Sequence, residues 1–436
     1  MVMSASAACG PGDTTGPCSV HAISAGGYFT CALLGEGVVK CWGENAYGDL
    51  GTSDLDNRGD APDEMGDHLH PLDLGAGRAA TAVVTGFAHG CALMSGGSVK
   101  CWGHASVGQL GLGDTEDRGD SPGEMGTALP AVPLGDTKPV QMLAAGADHT
   151  CALFEGGKVK CWGFNYSGQL GLGDTLKRGA AAGEMGGALP YVNLGEGVKA
   201  RQIVAGGSHT CALFTTGKVK CWGDNTNGEL GLGDHTSRGK TPGQMGDALP
   251  YVDLGAGRTA VQIAAGWDHT CALLDDGAVK CWGHNDFGQL GLGDTESRGN
   301  SLSDMGDHLP PVNLGEGLTV VQIAAGVGHT CAVTDVGVKC WGRNDLGQLG
   351  LGDTDLRGDE PGEMGDTLPF VDLGEDAHAT ALTLGATHTC ALVGPLGVKC
   401  WGDNYSGQLG QGDAKDRGDS PDQMGDELSP VDLGAP

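Results

Sequence analysis

The stretch that decides the fold runs from Thr259 to Leu318: TAVQIAAGWDHTCALLDDGAVKCWGHNDFGQLGLGDTESRGNSLSDMGDHLPPVNLGEGL. Four short apolar segments, VQIAAG, HTCALL, AVKCWG and PPVNLG, are divided by glycine-rich punctuation and read as strands. No segment holds a helical period. The same text recurs at 19–78, 79–138, 139–198, 199–258, 319–377 and 378–436, and its tryptophan keeps the beat at Trp42, Trp102, Trp162, Trp222, Trp282, Trp341 and Trp401. Such a period marks a repeat architecture. Four short strands cannot bury both faces alone, so the units must stack. Seven four-stranded antiparallel sheets set around an axis make an all-β, seven-bladed β-propeller. An open solenoid would need polar capping units; the first and last units look like the others, so ring closure is expected. Residues 19–436 are read as a single propeller and 1–18 as a tail outside it.

Composition limits the partners. The 436 residues carry 25 Lys+Arg against 55 Asp+Glu, a formal net charge of −30. The field of such a chain repels phosphate, which argues against nucleic acid and anionic membranes. Hydrophobic residues make up 39%, enough for a core. No apolar run approaches the ~18 residues of a membrane-spanning helix.

Strand directions sort the loops. With the first strand running up, the GWDH turn lies at the top, the DDG hairpin at the bottom, and WGHNDFGQLGLGDT at the top again. The long TESRGNSLSDMGDH loop then starts from the top, so seven acidic loops are expected to crowd that end. Loops of this length are often functional; they also serve as decoration that shields blade edges.

Cysteine placement points to disulfides. Fourteen of the 16 cysteines form in-register pairs: Cys31 with Cys41, Cys91 with Cys101, Cys151 with Cys161, Cys211 with Cys221, Cys271 with Cys281, Cys331 with Cys340, and Cys390 with Cys400. With Asp275-Asp276-Gly277 as a three-residue turn and Gly277 left-handed, Cys271 faces Cys281 across the hairpin. Directly opposed Cβ atoms need only a modest approach to bond. The sixth unit is one residue shorter, and a two-residue turn at Asp335-Val336 still sets Cys331 opposite Cys340. Reduced core thiols remain the alternative, and a metal site the weaker one, because a pair supplies two of the four ligands zinc wants. Disulfides would place the protein in an oxidising, extracellular or cell-surface compartment; reduced pairs would leave it cytoplasmic. The opening MVMSASAACGPGDTTGPC is not an intact signal peptide. It reads either as the remnant of a lipoprotein tether, with Cys9 lipidated or paired with Cys18, or as a plain tail.

The phrases GWDHTCALLDDGAVKCWGHNDFGQLGLGD and VQIAAG resemble the regulator of chromosome condensation repeat family. That resemblance implies a seven-bladed propeller. Founding members exchange nucleotide on a small nuclear GTPase and bind chromatin; others are bacterial and secreted, including an inhibitor of β-lactamases. This chain lacks a basic tail, keeps its units within one residue of a common length, and carries cysteine pairs suited to export, so it is placed with the secreted bacterial type.

The repeating polar residues offer little chemistry. His89, His149, His209, His269, His329 and His388 recur once per unit, with Phe29 in the first. Symmetric, distant positions suit a hydrogen bond to backbone within each blade better than one active site. No hydrolase, zinc-protease or phosphate-loop motif occurs. The expectation is therefore a non-enzyme without cofactor, calcium excepted. Asp54, Asp114, Asp174, Asp234, Asp294, Asp353 and Asp413 sit in oxygen-rich, flexible loops that suit Ca²⁺, although the spacing is not that of an EF-hand; turn capping is the plainer role. The loop methionines, such as Met305, read as apolar anchors. RGD at 58–60, 118–120, 357–359 and 417–419 reflects a repeating Arg-Gly, since other units read RGA, RGK and RGN.

Residues that break the repeat say more. The top loops carry Tyr28, Tyr47, Phe87, Phe164, Tyr166, Trp267, Phe287 and Tyr405 where other units have small or polar residues. Aromatics gathered on one end resemble a protein-binding surface. The expected function is a monomeric, secreted or surface-anchored protein-binding propeller. The membrane would be touched only through an N-terminal lipid. Alternatives are an exchange factor for a small GTPase, and a calcium-dependent adhesion or enzyme-inhibitor protein.

Overall fold

Asp275, Asp276 and Gly277 turn the chain between the second and third strands of the fifth repeat. The Leu274 amide donates to Ala278 O at 2.8 Å, and Gly277 takes φ +85°, a left-handed value that glycine adopts without steric cost. Ala260–Ala265, His269–Leu274 and Val279–Gly283 then pair in order as an antiparallel sheet, with Cys271 opposite Cys281. In the sixth repeat the Thr334 amide bonds Gly337 O across a turn one residue shorter, and Cys331 still faces Cys340. A computed structural model describes residues 19–75, 77, 79–394 and 397–434. Among these are seven such three-stranded sheets.

Each sheet carries one disulfide, and together they join every described cysteine to its cross-strand neighbour. Cys31 bonds Cys41, Cys91 bonds Cys101, Cys151 bonds Cys161, and Cys211 bonds Cys221. Cys271 bonds Cys281, Cys331 bonds Cys340, and Cys390 bonds Cys400. The pairing read from the hairpin register is the pairing found, and the thiol and metal alternatives are set aside with it. Cys9 and Cys18, with the rest of the tail, lie outside the described residues.

The fourth segment is not a ladder strand, so each blade has three paired strands where four were expected. In the fifth repeat the segment makes one sheet-like bond, from the Val312 amide to Val279 O at 2.8 Å; Pro310 and Pro311 before it have no N–H to give. Its Leu carbonyls find another donor. Lys339, 2% exposed, places Nζ 2.8 Å from Leu314 O of the preceding blade and 2.8 Å from Gly365 O of its own. Lys160, Lys220, Lys280 and Lys399 do the same. The lysine of VKCWG is thus a buried clasp between blades, and burial lowers its pKa.

The long loop does not stay at one end. It leaves beside the WG pair, where Gly283 and Arg298 exchange backbone bonds, and reaches Val279 at the opposite end by residue 312. It therefore descends the outer edge of its blade. On the way the Gly306 amide bonds Asp253 O of the preceding blade at 3.1 Å, and Met305, 5% exposed, packs with Trp282 and that blade's Cys211 and Cys221. The expected crowding of acidic loops at the top is corrected accordingly; edge shielding and inter-blade stapling are what these loops do.

Blade-to-blade contacts use the repeat's signature residues. Each repeating tryptophan is fully buried, and its indole N–H donates to a carbonyl of the preceding blade, as Trp282 does to Glu229 O at 2.9 Å. The threonine after each histidine uses its hydroxyl proton on that same carbonyl, as in Thr270 to Glu229 O. The oxygen left over accepts from histidine Nε2 of the preceding blade, His209 to Thr270 at 2.9 Å. The histidine partner is therefore a threonine in the next blade, not backbone in its own. The first blade, with Phe29, has nothing to donate, and the second carries Gly90 where the others have threonine. Closure obeys the same rules: His388 bonds Thr30, Trp42 bonds Gln408 O, and Lys40 bonds Leu433 O. One apolar cluster joins Ala32, Leu34 and Trp42 to Cys390, Val398 and Cys400. Among the described residues the ring closes by packing complete blades, without exchange of a strand.

Candidate protein interface

Both sets of top loops lie at one end, as the strand directions predicted. The Glu44 amide donates to Tyr28 O at 2.9 Å, and the equivalent bond recurs in every blade, as from His284 to Asp268 O. The turns after the first strands meet around the axis. Gly26, Gly86, Gly146, Gly206, Gly266, Gly326 and Gly385 line the channel there, and a Cβ on Gly146 would lie 2.4 Å from Gly206 O. Only glycine lets the seven turns come so close. The residues that follow pass backbone bonds between blades: Gly27 to Phe87 O, Gly207 to Trp267 O, and Ala386 to Gly27 O, at 2.9–3.0 Å.

Three of the eight aromatics converge on this mouth. The rings of Tyr28 and Phe87 are 5.6 Å apart and near perpendicular, and Phe87 meets Trp267 at 5.4 Å and 74°. Edge-to-face contacts of this kind stabilise beyond the area they bury. All three side chains are half-buried. The other five stand around the rim and are not brought into that cluster. Tyr47 stacks on His104 at 4.3 Å, Phe164 lies 6.4 Å from Tyr166, and Arg343 sits 5.4 Å over Phe287. Tyr166 and Tyr405 are 70% and 83% exposed.

The end is acidic as well as aromatic. The axial turns and the first residues after the WG pairs hold Glu44, Asp148, Asp224, Asp268, Asp286, Asp345 and Asp403. One arginine, Arg343, shares these loops and pairs with Asp345 at 2.6 Å. Burial pushes Asp148, Asp268 and Glu44 up in pKa, and Asp403 pushes Glu44 further. Sequence reading overlooked two more carboxylates. Asp49 and Glu229 occupy the position that is Gln in every other repeat, and burial drives them to about 8 and about 7. Their departure from the repeated GQLG was the available signal.

The repeating loop aspartates do something else. Asp54, Asp114, Asp174, Asp234, Asp294, Asp353 and Asp413 each pair with the arginine four residues on, at 2.6–2.9 Å. Their other oxygen accepts from the Asn of WGxN in most blades, and from the amide two residues on. They brace seven separate turns, and no group of three or more His, Cys, Asp or Glu among the described residues is arranged to hold a metal. The Arg-Gly repeat is explained by the same pairing together with Gly119, which packs on Gly48 O and Gly51 of the preceding blade. In the RGD at 118–120 one Asp120 oxygen is buried.

Two models of the regulator of chromosome condensation (RCC1) repeat match the chain. One covers 20–49, 80–109, 142–169, 200–229, 260–289 and 320–348, the other 96–153, 156–213, 216–273 and 276–333. The chain is 33% identical over 412 residues to the ultraviolet-B receptor UVR8 of Arabidopsis thaliana, covering 93% of this chain and 81% of that protein. It is also 33% identical to the human probable E3 ubiquitin-protein ligase HERC6, but spans only 26% of that protein's length and 69% of its own. Among solved structures, human WBSCR16 superposes with a TM-score of 0.65 at 20% identity, covering 86% of this chain and 87% of that one. Yeast RCC1 (Prp20), solved with Kap60, gives 0.62 at 23%, covering 84% and 78%. At these identities the two structures speak for the fold alone.

Proposed function

The chain belongs to the regulator of chromosome condensation repeat family, and from that premise we propose that it is a non-enzymatic propeller that binds another protein through its aromatic, acidic end. The observation that carries this is the asymmetry of the two loop sets. The blades repeat one another closely, yet eight of the rings that break the pattern while exposed or half-buried lie around the channel mouth, against three, Tyr191, Tyr251 and Phe370, on the fourth segments toward the opposite end. The few residues that anchor an interface, aromatics prominent among them, cost about 2 kcal/mol or more when truncated. Replacing both Trp267 and Phe287 by Ala weakens partner binding tenfold or more while the thermal midpoint stays close to wild type. Unchanged binding would remove this surface from consideration.

The seven disulfides support a secreted or surface-exposed protein, because cytosolic thiols are kept reduced. The plant and animal relatives named above lend no support to a bacterial source. The symmetric spacing of the buried histidines supports a binding role over catalysis, which needs different groups at one point. Repeat lengths that differ by no more than one residue, with no insertion to enter a GTPase, disfavour nucleotide exchange.

A further inference from the structure

Trp267, Phe87 and Tyr28 form more than a chance cluster, because the neighbouring blades make room for them. Phe87 leans over Gly27 of the preceding blade, where a Cβ would lie 3.0 Å from its ring and 2.6 Å from its carbonyl oxygen. Trp267 leans over Gly207 of its preceding blade, where a Cβ would lie 3.0 Å from the indole. Other blades have Ala147, Val327 and Ala386 at this position. Glycine thus stands in the blade before each of the two large rings. The three rings meet edge to face across the mouth, an arrangement that uses one face per contact, and all three side chains keep part of their surface exposed. These loops hold seven carboxylates against one arginine, Arg343, paired with Asp345, while His284 lies 3.0 Å from Asp286; Lys240 over the Tyr166 ring and Lys177 against Ser106 O reach the rim from the outer loops, so the balance at the mouth stays negative. Aromatic faces in such a field attract cations, and desolvated sites strengthen the attraction.

We propose that the mouth is an aromatic cage for a cationic side chain, and that the partner offers an arginine- or lysine-rich segment whose leading cation seats on Trp267 and Phe87 beside Asp268. This rests on the reading that the end binds protein and specifies the chemistry of what it binds. The raised pKa values of Asp148 and Asp268 agree with it, since an arriving cation would offset the cost of holding these carboxylates charged in partly dry surroundings.

The chain carries its own reporter. It has eight tryptophans, seven of them the fully buried repeat residues, so Trp267 is the one an added ligand can reach. Octa-arginine titrated into the full chain at about 0.15 M salt is expected to shift the Trp267 emission saturably, and octa-glutamate is expected to leave it unchanged. By calorimetry Phe87→Ala, Trp267→Ala and Asp268→Asn each weaken octa-arginine at least fivefold, whereas Asp56→Asn on the outer loop weakens it less than twofold. Gly207→Ala, which keeps the indole but crowds it, also weakens binding. Octa-arginine held equally by all variants would show a diffuse charge effect and overturn the cage, as would failure to bind at all. If the peptide fails while the double variant Trp267→Ala with Phe287→Ala still loses the natural partner, the end is an interface for something other than a cation. If both fail, the interface itself is wrong.

Discussion

At the scale of the residue, the buried titratable groups set how stability depends on pH. The six blade-linking histidines are fully buried and held at about 3 to 4, against an ordinary value near 6.5. Below that ordinary value the unfolded chain binds more protons than the folded one. Stability therefore falls as the pH drops from about 6.5 toward the folded values, by up to ~1.4 kcal/mol per pH unit for each histidine. Asp49 and Glu229 have the opposite sign. Raised to about 8 and about 7, they bind protons in the folded state that the unfolded chain has released above about 4, so their contribution is lost as pH rises through 7 and 8. Glu229→Gln, which restores the residue of the other blades, is expected to raise the unfolding midpoint at pH 8.5 and to change it little at pH 5. An equal gain at both would show that charge is not the cause. The histidine's partner was half legible. Phe29 and Gly90 both break the pattern in plain view, but only the register between blades shows that one faces the other.

At the scale of the element, the hairpin was readable and the fourth segment was not. Turn length, glycine placement and the shortened sixth repeat all fixed Cys271 opposite Cys281, because cross-strand register follows from local turn geometry. The same register set Cys41, Cys101 and Cys161 opposite Cys31, Cys91 and Cys151 in the first three blades. The fourth segment was read as a strand because it is a short apolar run set off by glycine punctuation. Beyond its one bond to the third strand, its leucine carbonyl is taken by a lysine of the next blade, as Leu314 O is by Lys339, and that contact is inter-blade and invisible locally. The disulfide is where this scale can be tested. Cys271→Ala with Cys281→Ala is expected to lower stability by about 2–3 kcal/mol on the chain-entropy model. Alkylation of denatured, unreduced protein is expected to label none of the seven pairs; full labelling would make them core thiols and undo the argument for export.

At the scale of the molecule, the described residues close the ring without a special strand, because the contacts that join the seventh blade to the first are those that join the other pairs, save that the first and second blades lack the His–Thr link. A scaffold so uniform leaves function to its exceptions. Sequence alone placed the eight aromatics on one end, since strand direction alternates; it did not show that Tyr28, Phe87 and Trp267 meet across the mouth. That needs blades one, two and five to be brought around one axis. The same folding took the acidic loops away from this end and down the outer edges.

The central claim, that the mouth end is where a partner binds, is best tested by site-specific photocrosslinking. A benzophenone amino acid would replace Tyr405, 83% exposed at the mouth end, or Val336, 58% exposed in the hairpin turn at the opposite end. The account predicts one discrete crosslinked species from position 405, lost when Trp267 is Ala, and none from position 336. A discrete adduct from position 336 with none from 405 would contradict it.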